Sequence, residues 1–213
     1  MPFLLVLSAP SGGGKTSIAK MLLKARIDLD YSVSVTTRPK RNGEQDGKDY
    51  YFLTLSEFET RQARGELLEW AQYSGQYYGT LKSEIRRILA SGRNAVLDVE
   101  IEGARQIRAT YRDSVHIFVL PPSAGVLVER LTGRNTEDPE VVKARLARAA
   151  EELEAVGEYD YAIVNKSLPE AVADISAILD GRGEARRVSQ QPELLNRVEQ
   201  LRRELAQVAT TIV

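Results

Sequence analysis

The sequence contains no cysteine and only one histidine among its 213 residues. The absence of cysteine excludes disulfide bonds and thiolate metal sites, and it is typical of proteins in a reducing compartment. The 29 Lys and Arg residues nearly balance the 30 Asp and Glu residues, so the charge gives no reason to expect a nucleic-acid partner. The apolar run at residues 3–7 lacks a basic leader and is too short for a signal peptide or a membrane span. We therefore predict a cytoplasmic protein without a membrane contact.

The chain does contain an alternation of short apolar runs with longer helical patterns, in a composition that is 43% hydrophobic and 28% charged. The apolar runs predict buried strands at residues 3–8, 94–99, 114–120 and 161–165. The helical patterns lie at residues 15–26, 82–91, 103–111, 123–131 and 139–156. Strands and helices in alternation predict an α/β fold, with a parallel sheet flanked by helices.

Residues 32–81 break this alternation. They are polar and β-prone, with turns at Asn42-Gly43 and Asp46-Gly47 and one short helix near residues 56–64. We interpret them as a small mixed α/β insertion on the core, and residues 125–156 as a helical lid. The predicted core comprises about residues 1–31, 82–124 and 157–185, so that one domain spans 1–185.

A glycine-rich segment follows the first predicted strand and opens the first helix. Small residues there allow backbone N–H groups to surround a phosphate at the positive end of the helix, as in a P-loop. Lys15 would then reach the β- and γ-phosphates of ATP, and the Thr16 hydroxyl would hold Mg²⁺. Ala9 stands where the usual pattern has glycine. The candidate ATP-binding residues here are Ala9, Pro10, Ser11, Gly12, Gly13, Gly14, Lys15, Thr16 and Ser17.

Five further motifs stand out along the chain. They are residues 32–41 followed by 43–50, residues 69–71 followed by 77–80, residues 97–104, residues 121–123, and residues 161–165. In these motifs, which are collinear over about residues 3–180, the chain resembles the guanylate kinase family. The resemblance implies a P-loop kinase that uses ATP and Mg²⁺ to phosphorylate GMP and dGMP.

The resemblance also assigns roles to residues of the insertion. It implies that Ser34, Glu69 and Thr80 contact the guanine base, and guanine's N1–H and 2-amino group suit a single carboxylate. Arg38 and Arg41, three residues apart in a turn, suit capture of the GMP phosphate. Tyr50 and Tyr78 could donate to that phosphate, stack on a base, or be ordinary surface aromatics of a sheet.

The remaining candidates lie in the core and the lid. Asp98 and Glu100 end a buried strand, where α/β proteins place ligand-facing groups. Arg130, Arg134 and Arg145 flank the lid loop, and positive charge arriving there would stabilise the phosphoryl group in transfer. Among these, Arg134 and Arg145 are predicted to be catalytic together with Lys15 and Arg38. The resemblance places Asn165 beside adenine, next to Lys166 where relatives carry an acid.

Two other functions remain open at the level of sequence. One is a binding module that kept the fold but lost activity, and the other is a kinase for a different small phosphate or sugar phosphate. The final segment, residues 186–213, is predicted to be an amphipathic helical extension. Its apolar residues recur at spacings of four and three, which suits either packing on the core or a homodimer contact.

Overall fold

The computed structural model describes residues 1–73, 75–132 and 139–211. Within these ranges the chain forms nine strands, eight α-helices and three 3₁₀ helices. The strands are β1 (Leu4–Ser8), β2 (Leu29–Tyr31), β3 (Ser34–Thr36), β4 (Tyr51–Phe52), β5 (Leu67–Tyr73), β6 (Gln76–Leu81), β7 (Asn94–Asp98), β8 (Ser114–Leu120) and β9 (Tyr161–Val164). The α-helices are α1 (Lys15–Ala25), α2 (Leu55–Ala63), α3 (Lys82–Ala90), α4 (Ile101–Thr110), α5 (Ala124–Thr132), α6 (Pro139–Glu152), α7 (Leu168–Leu179) and α8 (Leu194–Thr211).

The strands form two sheets, which confirms the predicted α/β class. The larger sheet has the order β2-β7-β1-β8-β9, in which β2 pairs in parallel with β7 and β8 with β9. The smaller sheet has the order β4-β3-β6-β5, with β6 antiparallel to both β3 and β5. No helix in the described ranges is long and apolar enough to cross a membrane.

The chain divides into two compact units. The first unit comprises Met1–Val6 and Arg26–Val115 and contains the smaller sheet, with α4 packed on β5. Helix α2 begins at a capping box, in which the Thr54 side chain and Glu57 satisfy each other's backbone N–H groups. This box directs Phe58, which is fully buried, into the core of the smaller sheet.

The second unit comprises Leu7–Ala25 and His116–Val213. Within it, α1 packs against α7, and α8 packs against α5 and α6. Leu194, Val198, Leu201 and Leu205 form the buried stripe of α8. The apolar stripe of α8 is therefore buried against α5 and α6 of its own chain, which belong to the predicted lid segment and not to the predicted core.

The structure corrects three features of the predicted elements. The helix predicted at residues 139–156 changes to a 3₁₀ helix at Leu153 and ends at Glu158. Helix α7 was not predicted, although Ser167 accepts a hydrogen bond from the Glu170 N–H as an N-cap. Strand β2 was not predicted either, because three residues are too few to show a periodic pattern.

We predict that α8 contributes to stability through its buried stripe. Leu205→Ala removes a side chain that is 0% exposed, so the free energy of unfolding should fall by about 2–5 kcal/mol. Leu195→Ala, on the same helix but 60% exposed, should change it by less than about 0.5 kcal/mol. Urea unfolding followed by circular dichroism measures both, and equal small losses would contradict the packing of α8.

Candidate functional site: a phosphate loop and a base-recognition row

The phosphate loop lies in the second unit, between the end of β1 and the start of α1. The Gly13 N–H donates to the Pro10 carbonyl over 2.8 Å, which closes the turn, and the Ile18 N–H donates to the Gly14 carbonyl over 3.1 Å. The first turn of α1 carries no acidic residue, so its own side chains do not neutralise the positive end of the helix. A loop of this kind favours a bound anion.

Each of the three consecutive glycines is required by the loop's geometry. Gly12 and Gly14 have φ angles of +79° and +93°, which side-chain-bearing residues rarely adopt. A Cβ on Gly13 would lie 2.7 Å from the Ala9 Cβ and 2.9 Å from the Pro10 carbonyl oxygen. The run of glycines is therefore part of a tight backbone turn and not merely a flexible linker.

Two predicted ATP-site residues contact this loop at one point, the Gly13 carbonyl. Asn165 Nδ2 donates to it over 2.9 Å, and Arg130 Nη1 lies 3.5 Å from it. Asn165 is 1% exposed, and its Oδ1 accepts no hydrogen bond from any described residue. A buried acceptor without a partner is costly, so this oxygen fits a donor on a ligand, such as the amino group of adenine.

Glu152, which was not predicted to be a site residue, contacts the phosphate loop at Ser11. Its Oε2 accepts the Ser11 N–H over 2.8 Å, and its Oε1 accepts Arg148 Nε over 3.1 Å. Arg145 lies seven residues earlier on α6, about two helical turns, and thus on the same face of the helix as Glu152. The third lid arginine, Arg134, lies outside the described residues.

The predicted base-recognition residues lie in the first unit and form a row across three strands. Thr80 on β6 pairs with Ser34 on β3 and with Glu69 on β5. Because directly paired residues point to the same face of a sheet, the three side chains are neighbours. Thr80 Oγ1 donates to Glu69 Oε1 over 2.6 Å, and Glu69 is only 4% exposed. We call these three residues the base row.

Gly103, in the first turn of α4, provides the space for the Glu69 carboxylate. A Cβ on Gly103 would collide with Glu69 Oε2 and lie 3.0 Å from Glu69 Cδ. Glycine weakens a helix, which indicates a packing reason for its presence there. The helix α4 thus closes over the acidic end of the base row.

The predicted phosphate-binding residues of the first unit also come together. The Arg38 guanidinium lies 5.3 Å from the centre of the Tyr50 ring, and the Tyr50 and Tyr78 ring centres are 6.1 Å apart. Arg38 forms a two-point ion pair with Glu44, with distances of 3.1 and 2.7 Å. These hydrogen bonds lower the pKa of the Glu44 carboxyl below its ordinary value. The Arg41 N–H donates to the same carboxylate over 2.8 Å, so Glu44 ties both arginines together.

Asp98 and Glu100 lie at the carboxyl end of β7, as expected. Asp98 is the last residue of that strand, and Glu100 is the N-cap of α4 without a side-chain capping bond. Asp98 Oδ1 accepts a hydrogen bond from the Tyr31 hydroxyl over 2.5 Å. Tyr31 was not predicted, because it lies in the three-residue strand β2.

Sequence signals for the other missed residues were present but weak. Glu44 is an acid three residues after Arg41 in a turn, and Gly103 is a glycine at the start of a helix. Glu152 lies seven residues after Arg145 and so on the same face of α6, but nothing in a polar helical sequence indicates that its carboxylate is buried. These residues support the predicted ones by hydrogen bonding or by leaving space.

Comparisons with known proteins agree with this arrangement. A family model described as guanylate kinase matches residues 2–182. The guanylate kinase of Dechloromonas aromatica is 44% identical over 180 residues, which cover 84% of this chain and 89% of that protein. The guanylate kinase of Symbiobacterium thermophilum is 47% identical over 176 residues, which cover 83% of each chain.

A solved structure supports the same assignment at the level of the fold. The crystal structure of guanylate kinase from Anaplasma phagocytophilum has a TM-score of 0.70 and 35% sequence identity, and it covers 92% of this chain and 94% of that chain. The match therefore extends over both units and not over the phosphate loop alone. On this likeness of sequence and fold, the chain belongs to the guanylate kinase family.

Proposed function

We propose that the protein transfers the γ-phosphoryl group of ATP to GMP and dGMP, giving ADP and GDP or dGDP. The observation that carries the proposal is the base row, in which a buried carboxylate is held beside Thr80 and Ser34. The glycine-rich loop indicates phosphate binding alone, whereas a buried carboxylate suits a ligand that donates hydrogen bonds. Family membership supports the same reaction.

Guanine fits the base row because its hydrogen-bonding groups are complementary. The N1–H and the 2-amino group are adjacent donors, and the Glu69 carboxylate can accept from both. The Ser34 hydroxyl can donate to the guanine O6, and the Thr80 hydroxyl, which has a single proton, would have to turn it from Glu69 Oε1 to O6 to do the same. The base and the phosphate of dGMP are the same as those of GMP, so we expect both substrates to be used.

The GMP phosphate would bind to the arginine and tyrosine cluster. Glu44 and the Pro39 carbonyl use three of the five N–H groups of Arg38, and Tyr78 is a further hydrogen-bond partner, so at least one N–H is left for a phosphate. Arg41, Tyr50 and Tyr78 supply further donors. The ion pair with Glu44 fixes the guanidinium before substrate arrives, and this lowers the entropy lost on binding.

ATP would bind at the phosphate loop, with Lys15 on the β- and γ-phosphates and the Asn165 Oδ1 on adenine. The residues present fit Mg²⁺ that arrives with ATP, because the Thr16 hydroxyl is a hard oxygen ligand at the start of α1. Among the described residues, no cluster of acidic, histidine or cysteine side chains could hold a metal by itself. When bound, Mg²⁺ would supply positive charge to the transferring phosphate.

Catalysis would consist of positioning and charge neutralisation. The phosphate oxygen of GMP is already ionised at neutral pH and attacks in line without a strong general base. Lys15, Arg38, Arg134 and Arg145 would neutralise the charge that spreads over the transferred group. Asp98 and Glu100 would contact the bound substrates from the end of β7.

We also propose a domain division and a setting for the protein. A kinase domain at about residues 1–185 agrees in extent with the family match to residues 2–182, which leaves residues 186–213 as an extension. The burial of the α8 stripe within one chain favours a monomer over a homodimer. We propose a cytoplasmic location, where ATP and GMP are available.

Lys15→Ala should abolish most phosphoryl transfer without unfolding the protein. The substitution removes a cation from the transferring group, and loss of a comparable electrostatic contact costs about 10²–10³ in kcat. The measurement is ADP formation from ATP and GMP by a coupled assay. Lys20→Ala, exposed on the same helix, is the matched control and should keep kcat. Near-normal turnover in folded Lys15→Ala would refute the P-loop assignment, and no turnover in the wild type would favour a binding module.

Glu69→Gln should reduce kcat/KM for GMP strongly and leave ATP affinity unchanged. The amide places a donor where guanine also presents donors, so a buried group is left without a partner. Glu84→Gln is the matched control, because Glu84 is also a buried glutamate of the first unit but accepts from Tyr51. If the ratio of GMP to AMP use is the same in Glu69→Gln and wild type, the base is recognised elsewhere.

A further inference from the structure

Tyr31 and Asp98 form a hydrogen-bonded pair at neighbouring strand ends of the first unit. Strands β2 and β7 run in parallel, with Tyr31 opposite Val96, so that Asp98 follows two residues beyond on the adjacent strand. The Tyr31 hydroxyl donates to Asp98 Oδ1 over 2.5 Å, which is at the short end of the range for a hydroxyl and a carboxylate.

The tyrosine is held in its donor form. Burial of the side chain, followed by the negative charge of Asp98, raises the pKa of Tyr31 well above its ordinary value. The hydroxyl therefore keeps its proton and donates at every pH at which the protein would work. This fixes the direction of the hydrogen bond and leaves the carboxylate as the acceptor.

The hydrogen bond restrains the carboxylate of a proposed site residue. A carboxylate at the end of a strand can rotate, and each misdirected orientation lowers the fraction of molecules that are ready to react. A donor fixed to one oxygen of the carboxylate favours one orientation of the group. Phenylalanine would fill the same space, so packing alone does not account for the hydroxyl.

We propose that Tyr31 is a positioning residue, whose hydroxyl holds the Asp98 carboxylate in the orientation that phosphoryl transfer requires. The proposal rests on the proposed function, since it gives Tyr31 a role only through Asp98. The hydroxyl contacts neither substrate in this account. Its effect should consequently appear in kcat, and it should disappear when Asp98 can no longer act as a carboxylate.

The test is a double-mutant cycle of Tyr31→Phe and Asp98→Asn, with steady-state kinetics for ATP and GMP. Tyr31→Phe should lower kcat about tenfold, the size expected for one hydrogen bond to a charged group, and change KM for GMP by less than about twofold. In the Asp98→Asn background the same substitution should change kcat by less than about twofold. Tyr51→Phe is the matched control. It removes a hydrogen bond of 3.2 Å from a tyrosine hydroxyl to the Glu84 carboxylate, and neither residue belongs to the proposed site, so kcat should stay the same.

The possible results separate the inference from the proposed function. An active wild type with unchanged kcat in Tyr31→Phe, or an equal loss in the two Asp98 backgrounds, would overturn the role of Tyr31 alone. An inactive wild type would overturn both. Thermal unfolding of each variant accompanies the kinetics, so a tenfold loss counts as support only if Tyr31→Phe and Tyr51→Phe are folded at the assay temperature.

Discussion

The buried carboxylate of Glu69 is the constraint on which the proposed specificity depends. Glu69 is only 4% exposed, and a carboxylate buried to that degree is unfavourable unless hydrogen bonds compensate for the lost hydration. Thr80 provides one such bond across the β5–β6 pair, and Gly103 on α4 leaves room for the second oxygen. The burial of Glu69 therefore depends both on the β5–β6 pairing and on the packing of α4 against β5. In the proposed complex, a ligand with two adjacent donors would offset the cost of burial further.

The phosphate loop of the second unit follows a similar principle. Its backbone is held by side chains from α5, from α6 and from the residue after β9, since Arg130 and Asn165 contact the Gly13 carbonyl and Glu152 accepts the Ser11 N–H. Glycine permits the turn, but glycine alone would leave it free to adopt many conformations. The contacts select one conformation and so lower the cost of ordering the loop around a phosphate chain. The base row and the phosphate loop are therefore both held in place by side-chain hydrogen bonds.

The sequence predicts the α/β class, and it selects candidate residues that the structure brings together within each unit, because both follow from local patterns. Apolar runs such as residues 114–120 match strand β8 at both ends, and the P-loop motif lies directly before α1 as expected. The supporting residues are different. Glu152, Tyr31 and Glu44 act through partners 141, 67 and 6 residues away along the chain, respectively, and the first two separations have no local signature. Helix α7 was missed in spite of its N-cap Ser167, whereas the three-residue strand β2 depends on its pairing with β7.

We propose above all that the buried Glu69 carboxylate recognises guanine by accepting hydrogen bonds from two adjacent donors of the base. The most direct measurement is kcat/KM of the wild-type protein for GMP, IMP and AMP with ATP as the phosphate donor. IMP keeps N1–H and O6 but lacks the 2-amino group, so its kcat/KM should be lower than that of GMP by about 10- to 100-fold. AMP offers neither donor to Glu69 and should be worse than GMP by about 10⁴-fold or more. Equal use of IMP and GMP, or efficient use of AMP, would contradict the account.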